Sequence, residues 1–344
     1  MSSKGLVLVT GANGFIGART VEAFLNAGYS VRGTVRSSTS AQGLLTALPD
    51  AAAQGRLEIA EVPDITLPGA FDEALRGVTA VAHLATPVSF SFTDANYVVG
   101  TAVKGSKSIL ESAFKEPGVK HFVLMSSVVA ILGEKPQGYV FTEADWNEQA
   151  PDLVAKLGNE TPGPVIYSAS KTLAERDFWK FREERKPNFT MTAINPVFVA
   201  GPPLVLPSSP DNINETTEFI WKVFSGQGIS EKTISSGPFV DVRDVARLTV
   251  FGVEHGQDTD AQRYLAQSGW GSPQAVADVL CRQYPDRKTI ICQGTPESDY
   301  LADFKTPPQA PQVDTSKAIR ATGQGWIDLE TMVLDAAKAF EKYL

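Results

Sequence analysis

Cysteine is scarce in this sequence. Its 344 residues include only Cys281 and Cys292, and no histidine lies near either of them. A disulfide framework needs several cysteine pairs, and a structural zinc site takes four ligands, often in closely spaced pairs. A disulfide framework is therefore excluded and no metal site is expected. The two cysteines are interpreted as ordinary core or surface residues.

The chain also lacks a basic surplus and a long apolar run. It has 31 Lys and Arg residues against 39 Asp and Glu, a formal net charge of −8. This balance argues against binding to nucleic acid or to an anionic membrane surface. The first apolar run, residues 6–9, is shorter than the ~7–15 residues of a signal peptide or the ~20 of a membrane span. A cytoplasmic location is therefore expected.

Nothing in the composition indicates a disordered or fibrous chain. Hydrophobic residues make up 43% of the sequence and charged residues 20%, as in ordinary globular proteins. A chain of this length can bury most of its apolar surface without disulfides or metal. It is long enough for two structural units, or for one large α/β domain that carries a lobe.

Short apolar runs alternate with helical patterns through about the first 195 residues. A short, continuous apolar run is typical of a parallel strand that is buried on both faces. The alternation predicts an α/β fold with a doubly wound parallel sheet and helices on both of its faces. Strands are predicted at residues 6–9, 30–35, 57–62, 80–84 and 121–125, and helices at residues 15–25 and 105–114.

The remainder of the chain has a different pattern. Proline-rich segments interrupt residues 196–344, and the helices there are irregularly spaced. One helix is predicted to start at Asp241, another is capped by Ser272, and the last covers residues 328–343. We interpret this part as a smaller lobe at the carboxyl edge of the sheet. Its boundary is soft, since no flexible linker marks it and elements could cross back.

Three glycines at three-residue spacing lie between the first predicted strand and the first predicted helix. The first permits a tight turn, the second lets a pyrophosphate approach the backbone, and the third lets the helix pack closely on the sheet. The pyrophosphate then lies on free N–H groups at the helix N-terminus. A Rossmann-type dinucleotide-binding domain is therefore predicted at residues 1–195, and a smaller substrate-binding lobe at 196–344. The cradle residues are Gly11, Asn13, Gly14, Phe15, Ile16 and Gly17.

The end of the second strand indicates which dinucleotide binds. NAD sites usually place an Asp or Glu there for the ribose 2′-hydroxyl. Here Arg36, together with Arg32, supplies the positive charge and forked donors that a 2′-phosphate requires, so NADP(H) is predicted. One of the two arginines could be only a solvated charge at the strand end. Asp64 and Ile65 could flank the adenine ring, but Asp64 could equally be a turn residue.

Tyr167 and Lys171 are four residues apart and therefore share one face of a helix. A nearby ammonium is expected to lower the tyrosine pKa from its ordinary value of about 10 towards the range of proton transfer at neutral pH. The fifth predicted strand ends in Ser126-Ser127, at the edge where open α/β sheets bind ligands. A hydroxyl there, for which we favour Ser127, can donate to a substrate carbonyl oxygen. The alternative for the Tyr–Lys pair is a half-buried aromatic residue beside a surface lysine.

With these motifs in this order, the sequence resembles the extended short-chain dehydrogenase/reductases. Within them it is most similar to the dihydroflavonol-4-reductase-like enzymes and the fungal NADPH-dependent carbonyl (aldehyde, methylglyoxal) reductases. The resemblance covers nearly the whole chain. It is carried by residues 11–17, 32–36, 83–87, 126–127, 167–171, 195–199 and 239–245.

The resemblance implies a catalytic triad of Ser127, Tyr167 and Lys171. Tyr167 would protonate the carbonyl oxygen, Ser127 would polarise it, and Lys171 would also hold the ribose hydroxyls. One departure concerns Thr86, because plant members usually have serine at this position before the proline. The residues implied around the nicotinamide are Ala85, Thr86, Pro196, Val197 and Val199.

Apolar residues that follow the fourth strand, with others in the second lobe, are predicted to form the substrate pocket. Such a pocket suits an aryl or alkyl ketone, an aldehyde or a ketoester. Phe90 and Trp221 could instead be core residues, since large aromatics are often highly buried. His83 is interpreted as structural. The predicted pocket residues are Val88, Phe90, Phe92, Phe198, Leu204 and Trp221.

The favoured hypothesis is an NADPH-dependent carbonyl reductase that acts on a small-molecule substrate. A homodimer is one possible oligomeric state of this enzyme. A nucleotide-sugar epimerase or dehydratase is the first alternative. It would normally retain NAD and carry an acidic end on the second strand, which this sequence lacks. A catalytically silent NADP sensor is the second alternative, but it has no need of Ser127, Tyr167 and Lys171 together.

Overall fold

The computed structural model of the protein describes residues 3–87, 91–228, 236–291 and 294–344. The strands are β1 (Leu6–Thr10), β2 (Ser30–Val35), β3 (Leu57–Glu61), β4 (Ala80–His83), β5 (His121–Met125), β6 (Val140–Phe141), β7 (Thr190–Pro196), β8 (Phe198–Ala200), β9 (Gly237–Asp241), β10 (Gln262–Ala266), β11 (Gly269–Gly271) and β12 (Gln312–Val313). The helices are α1 (Phe15–Asn26), α2 (Gln42–Ala47), α3 (Pro49–Ala53), α4 (Ala95–Lys115), α5 (Gln149–Leu157), α6 (Gly163–Arg185), α7 (Glu218–Ser225), α8 (Val242–Glu254), α9 (Gly256–Thr259), α10 (Pro273–Gln283), α11 (Ser316–Thr322) and α12 (Leu329–Phe340).

Seven parallel strands form the central sheet, in the order β10-β7-β5-β4-β1-β2-β3. The chain runs from β1 outward to β3 on one side, then continues from β4 outward on the other. The carboxyl ends of β1 and β4 therefore meet where the strand order reverses, which is where open α/β sheets bind ligands. The predicted Rossmann-type, doubly wound α/β fold is confirmed.

Helices cover both faces of this sheet, because its strands are apolar on both sides. Val7, Leu8 and Val9 of β1 are all fully buried and alternate between the two faces. On one face α1 packs against α8, and on the other α4 packs against α6. Phe122 of β5 contacts Phe178 of α6 at 5.6 Å between ring centroids. This packing fixes α6 beside the carboxyl end of β5.

The smaller lobe has a core of its own. A three-stranded sheet, β11-β9-β8, packs with α7, α10 and α12. Phe219 of α7 stacks on Phe239 of β9, with ring centroids 4.7 Å apart. The sequence boundary at residue 195 is not a clean division, because β10 returns to the central sheet beside β7 and α8 packs on α1.

The helix starts predicted in this part of the chain are present. The carboxylate of Asp241 accepts the N–H of Arg243 at 2.8 Å. Ser272 Oγ accepts from the N–H of Ala275 at 3.1 Å, and Asp328 caps α12. Among the described residues, no helix combines the length and apolarity that crossing a membrane requires.

Candidate active site

The glycine-rich turn closes the carboxyl end of β1. Gly11 has a φ of +65°, a conformation that glycine adopts without strain. A Cβ on Gly17 would lie 2.0 Å from the carbonyl oxygen of Gly11, so only glycine permits this approach of α1 to the turn. Gly14 precedes α1 without a side-chain cap. The first N–H groups of the helix therefore remain for an anionic ligand.

Thr10 fixes the segment that lies beside this turn. Its Oγ1 accepts the N–H groups of Leu84 and Ala85, both at 2.9 Å, and lies 2.9 Å from Nδ1 of His83. Since the oxygen already accepts two hydrogen bonds, the hydroxyl donates its own proton to Nδ1. Ala85 consequently contacts the turn, where a Cβ on Gly11 would lie 3.4 Å from the Ala85 Cα. Ala85 is thus placed directly beside the glycine turn.

The two arginines of the second strand differ in their surroundings. Arg36 follows β2 and is exposed, and the described residues give it no ion pair. The Arg32 guanidinium instead pairs with Glu58 at 3.0 Å and donates to the carbonyl oxygen of Ala74 at 2.8 Å. Arg32 stands opposite Glu58 in the strand register, so its side chain is held over β3. In this structure the Arg32 guanidinium is thus engaged by Glu58 and backbone carbonyl groups, whereas Arg36 is exposed.

Asp64 and Ile65 both have local packing roles. The carboxylate of Asp64 accepts from the N–H and the hydroxyl of Thr66, at 2.8 and 2.7 Å. Asp64 thus stabilises a local turn, a role compatible with either interpretation. The Ile65 side chain packs against α4, where a Cβ on Gly105 would lie 2.8 Å from it.

The tyrosine, the lysine and one of the two serines come together at the end of β5. The Tyr167 hydroxyl is hydrogen-bonded to the side chain of Ser127. Lys171 is buried, and its Nζ donates to the carbonyl oxygen of Met125 at 3.0 Å. Ser126 points elsewhere and donates to Glu175 at 2.5 Å. Ser127 rather than Ser126 therefore faces the tyrosine.

Burial dominates the titration of this group. It raises the pKa of Tyr167 to about 12, although the hydrogen bond from Ser127 lowers it in part. The causes of this pKa shift are burial and the Ser127 hydrogen bond, while the ammonium of Lys171 donates to the Met125 carbonyl oxygen. Burial also lowers the pKa of Lys171 to about 8, against the influence of Glu175. Burial, with the charge of Lys171, lowers the pKa of His83 to about 3, which leaves a neutral imidazole.

A buried charged cluster behind the lysine was missed by the sequence reasoning. Glu175 is fully buried on α6 and forms an ion pair with Arg263 of β10 at 2.6 Å. Asn195 of β7 donates to Glu175 at 2.7 Å and to the carbonyl oxygen of Ser127 at 3.1 Å. The spacing of Tyr167, Lys171 and Glu175, four residues each, was the available signal.

The residues predicted around the nicotinamide follow the end of the sheet. Pro196 ends β7, and the N–H of Val197 donates to the carbonyl oxygen of Ala266 at 3.1 Å. Val197 and Val199 are buried. Thr86 lines a small cavity together with Lys171. The structure thus brings Thr86 to the lysine, whereas the N–H of Val197 is engaged within the sheet.

The predicted pocket residues are not brought together as one group. Phe92 packs on the cluster that contains Ile166, directly before Tyr167. Leu204 lines a cavity of about 250 Å³, which lies against the glycine turn. Phe198 packs against Phe239, with ring centroids 5.8 Å apart.

Trp221 is a correction to the predicted pocket. It is 4% exposed in the core of the smaller lobe, where its ring meets Phe340 and Tyr343. Its large apolar surface is used in packing, so it is assigned to the core. Val88 and Phe90 lie outside the described residues.

A phosphate cradle where the strand order reverses, beside a tyrosine, a serine and a buried lysine, defines a dinucleotide-binding enzyme scaffold. The chain belongs to the NAD dependent epimerase/dehydratase family, whose model matches residues 7–265.

Reductases are among its relatives. Aldehyde reductase 2 of Sporidiobolus salmonicolor is 33% identical over 336 residues, which are 96% of this chain and 94% of that protein. A putative NADPH-dependent methylglyoxal reductase of Candida albicans is 31% identical over 345 residues and 98% of each chain. The crystal structure of Gre2 in complex with NADPH, from Candida albicans, is 29% identical. It superposes with a TM-score of 0.84 over 98% of this chain and 99% of that one.

Proposed function

We propose that the protein is an NADPH-dependent carbonyl reductase, which reduces apolar ketones, aldehydes or ketoesters to alcohols. The observation that carries this proposal is the hydrogen bond between the Tyr167 hydroxyl and Ser127, one helical turn from the buried Lys171. Relatives whose names state aldehyde and methylglyoxal reduction support the same activity. The substrate is a small molecule with a carbonyl group.

The cradle residues fit NADPH. Gly14 provides no side-chain cap, so the backbone N–H groups at the start of α1 are available to a pyrophosphate. Gly17 lets α1 approach the glycine turn closely. Arg36 is exposed at the end of β2, and the sequence has no Asp or Glu in that strand or between it and Asp50. These features suit a 2′-phosphate better than a ribose hydroxyl. When bound, NADPH supplies the hydride.

Tyr167 supplies the proton. With a pKa of about 12 it is protonated at neutral pH, which is the form needed to protonate a carbonyl oxygen. Ser127 donates to the same oxygen and stabilises the negative charge that develops there. Alcohol oxidation would need a phenolate, which burial disfavours. The residues of the site therefore favour reduction.

Lys171 contributes charge and position. Below its pKa of about 8 the ammonium is charged, and it would hold the ribose hydroxyls of the cofactor. Phe92 lies beside the start of the same helical face. It would provide an apolar contact to the substrate.

The activity is tested by following absorbance at 340 nm with NADPH, and separately with NADH, against aryl ketones, ketoesters, aldehydes and dicarbonyls. We expect turnover with NADPH and weak turnover with NADH. Tyr167→Phe should lower kcat by about 10²–10⁴-fold with NADPH binding retained. The matched control is Tyr97→Phe, because Tyr97 is 67% exposed.

Two results would contradict the proposal. NADPH binding without turnover on the whole panel would leave a narrow-substrate enzyme or a cofactor sensor. NAD that stays bound through purification would instead support the epimerase or dehydratase alternative.

A further inference from the structure

We propose that Glu175 is a positioning residue for Lys171. Glu175, which is paired with Arg263, lies one helical turn beyond Lys171. Its carboxylate keeps the lysine charged and oriented. This inference rests on the proposed function, because it concerns the same site. Glu175 itself contacts neither Tyr167 nor Ser127 among its hydrogen-bond partners. Its action on the site passes through other side chains.

The first support is the burial of the carboxylate together with the number of its donors. Glu175 and Arg263 are 0% and 7% exposed. The Glu175 oxygens accept from Arg263 Nε at 2.6 Å, Asn195 Nδ2 at 2.7 Å, Ser126 Oγ at 2.5 Å and Trp179 Nε1 at 3.2 Å. Four donors, one of them the Arg263 guanidinium, thus meet at a single buried carboxylate and fix its position.

The second support is the arrangement of charges around the lysine. Lys171 and Glu175 line one small cavity of about 10 Å³, together with His83 and Ser126. His83 of β4 is neutral, because its pKa is about 3. Tyr167 is also uncharged at neutral pH. Glu175 is therefore the anion that faces Lys171, with the positive charge of Arg263 behind it.

The third support is geometric. Ser126 donates to Glu175, and Asn195 joins Glu175 to the carbonyl oxygen of Ser127. Lys171 donates to the carbonyl oxygen of Met125, the residue before this pair. The same carboxylate thus holds in place the backbone of residues 125–127, which carries Ser127 and accepts the hydrogen bond from Lys171. Arg263, the ion-pair partner of Glu175, is itself held in place, because its guanidinium lies 3.9 Å from the Trp146 ring centroid.

The variant that tests the proposal is Glu175→Gln, which removes the charge and keeps the side-chain shape. We expect the pKa of Lys171 to fall, because the buried ammonium loses the anion that favours it. A fall of about one unit from about 8 would lower the charged fraction at pH 8 about fivefold. The basic limb of the kcat/KM profile should move to lower pH by the same amount. Glu175→Asp restores the charge and should shift the limb less.

The Lys171 titration is read directly by NMR of lysine labelled with 13C at Cε, assigned with Lys171→Met. This readout needs no substrate, so it separates a failure of this inference from a failure of the proposed function. The matched control is Asp260→Asn, which breaks the ion pair of Asp260 with Arg182, also on α6. The control should leave the Lys171 titration unchanged.

A folded Glu175→Gln protein with an unchanged Lys171 titration would overturn the proposal. If the single variant does not fold because Arg263 is left unpaired, the double variant Glu175→Gln with Arg263→Met removes both charges. Its Lys171 titration should again move to lower pH, by less than in the single variant. An unchanged titration there would equally overturn the proposal.

Discussion

At the scale of single residues, the two arginines of β2 have the same chemistry but different partners. Arg36 is exposed beyond the strand, whereas Arg32 is held by Glu58 and two backbone carbonyl groups. The sequence spacing could not predict this difference between the two arginines, because the partner of each side chain depends on how β2 pairs with β3. Arg32 is therefore an ion-paired residue rather than a solvated charge at the strand end, and Arg36 is the exposed one.

This difference gives a paired prediction for cofactor choice. Arg36→Gln removes the charged donor for a 2′-phosphate and should raise the KM for NADPH about 10- to 100-fold, with that for NADH little changed. Arg32→Gln should lower the free energy of unfolding by about 1 kcal/mol and leave both KM values unchanged. Steady-state kinetics with both cofactors and urea unfolding measure these effects. A larger loss of NADPH affinity in the Arg32 variant would contradict the assignment.

The pH dependence of catalysis follows from Lys171. Its pKa is lowered to about 8, so the ammonium is charged below that pH and neutral above it. We expect kcat/KM for carbonyl reduction to fall with rising pH above about 8. Stopped-flow or steady-state rates between pH 6 and 10 locate the limb. A kcat/KM that stays constant up to pH 10 would exclude Lys171 as the source of the limb.

At the scale of elements, the sequence predicts strands better than helix ends. The limits of β2 and β5 match the prediction, because each is a short apolar run bounded by turns. Helix α4 starts ten residues before the predicted 105, at Ala95. Its first turns carry polar and exposed residues. Asp94 is identified as its N-cap by the hydrogen bond that its carboxylate accepts from the N–H of Tyr97. Packing against α6, rather than local pattern, stabilises this half of the helix.

The start of α1 yields a prediction at this scale. Gly17→Ala would place a Cβ 2.0 Å from the Gly11 carbonyl oxygen, so the helix must move away from the turn. We expect NADPH affinity to fall at least tenfold and stability to fall by about 1–3 kcal/mol. The matched control is Gly100→Ala in α4, where a Cβ meets no neighbour within 4 Å. It should raise stability by about 0.5–1 kcal/mol.

At the scale of the whole molecule, the chain order does not divide the protein into two units. Strand β10 comes after β8, α7 and β9 of the smaller lobe, yet it pairs with β7 and supplies Arg263 to the buried Glu175. No local pattern predicts such a return, because it depends on which strand edge remains open. The same limit explains why Glu175 was missed, since its partner lies 88 residues further along the chain. A site built from local motifs could be predicted, and one built from distant strands could not.

The burial of His83 couples the stability of the whole molecule to pH. Its pKa is about 3 in the folded protein, against an ordinary value of 6.5. Below pH 6.5 the unfolded chain therefore binds a proton that the folded protein does not. The free energy of unfolding should fall as pH decreases from 6.5 towards 3, and this residue alone should lower it by about 1 kcal/mol between pH 6.5 and pH 5.5.

Urea unfolding between pH 7 and pH 5 tests this coupling with two variants. His83→Asn keeps an acceptor for the Thr10 hydroxyl but has no group that titrates in this range, so it should lose this part of the pH dependence. His255→Asn changes a histidine whose side chain is 52% exposed and should retain the slope of the unmodified protein. The comparison uses slopes, so a uniform loss of stability in either variant does not affect it. Equal slopes in all three proteins would show that His83 already binds its proton in the folded state, and would remove the neutral imidazole from the surroundings of Lys171.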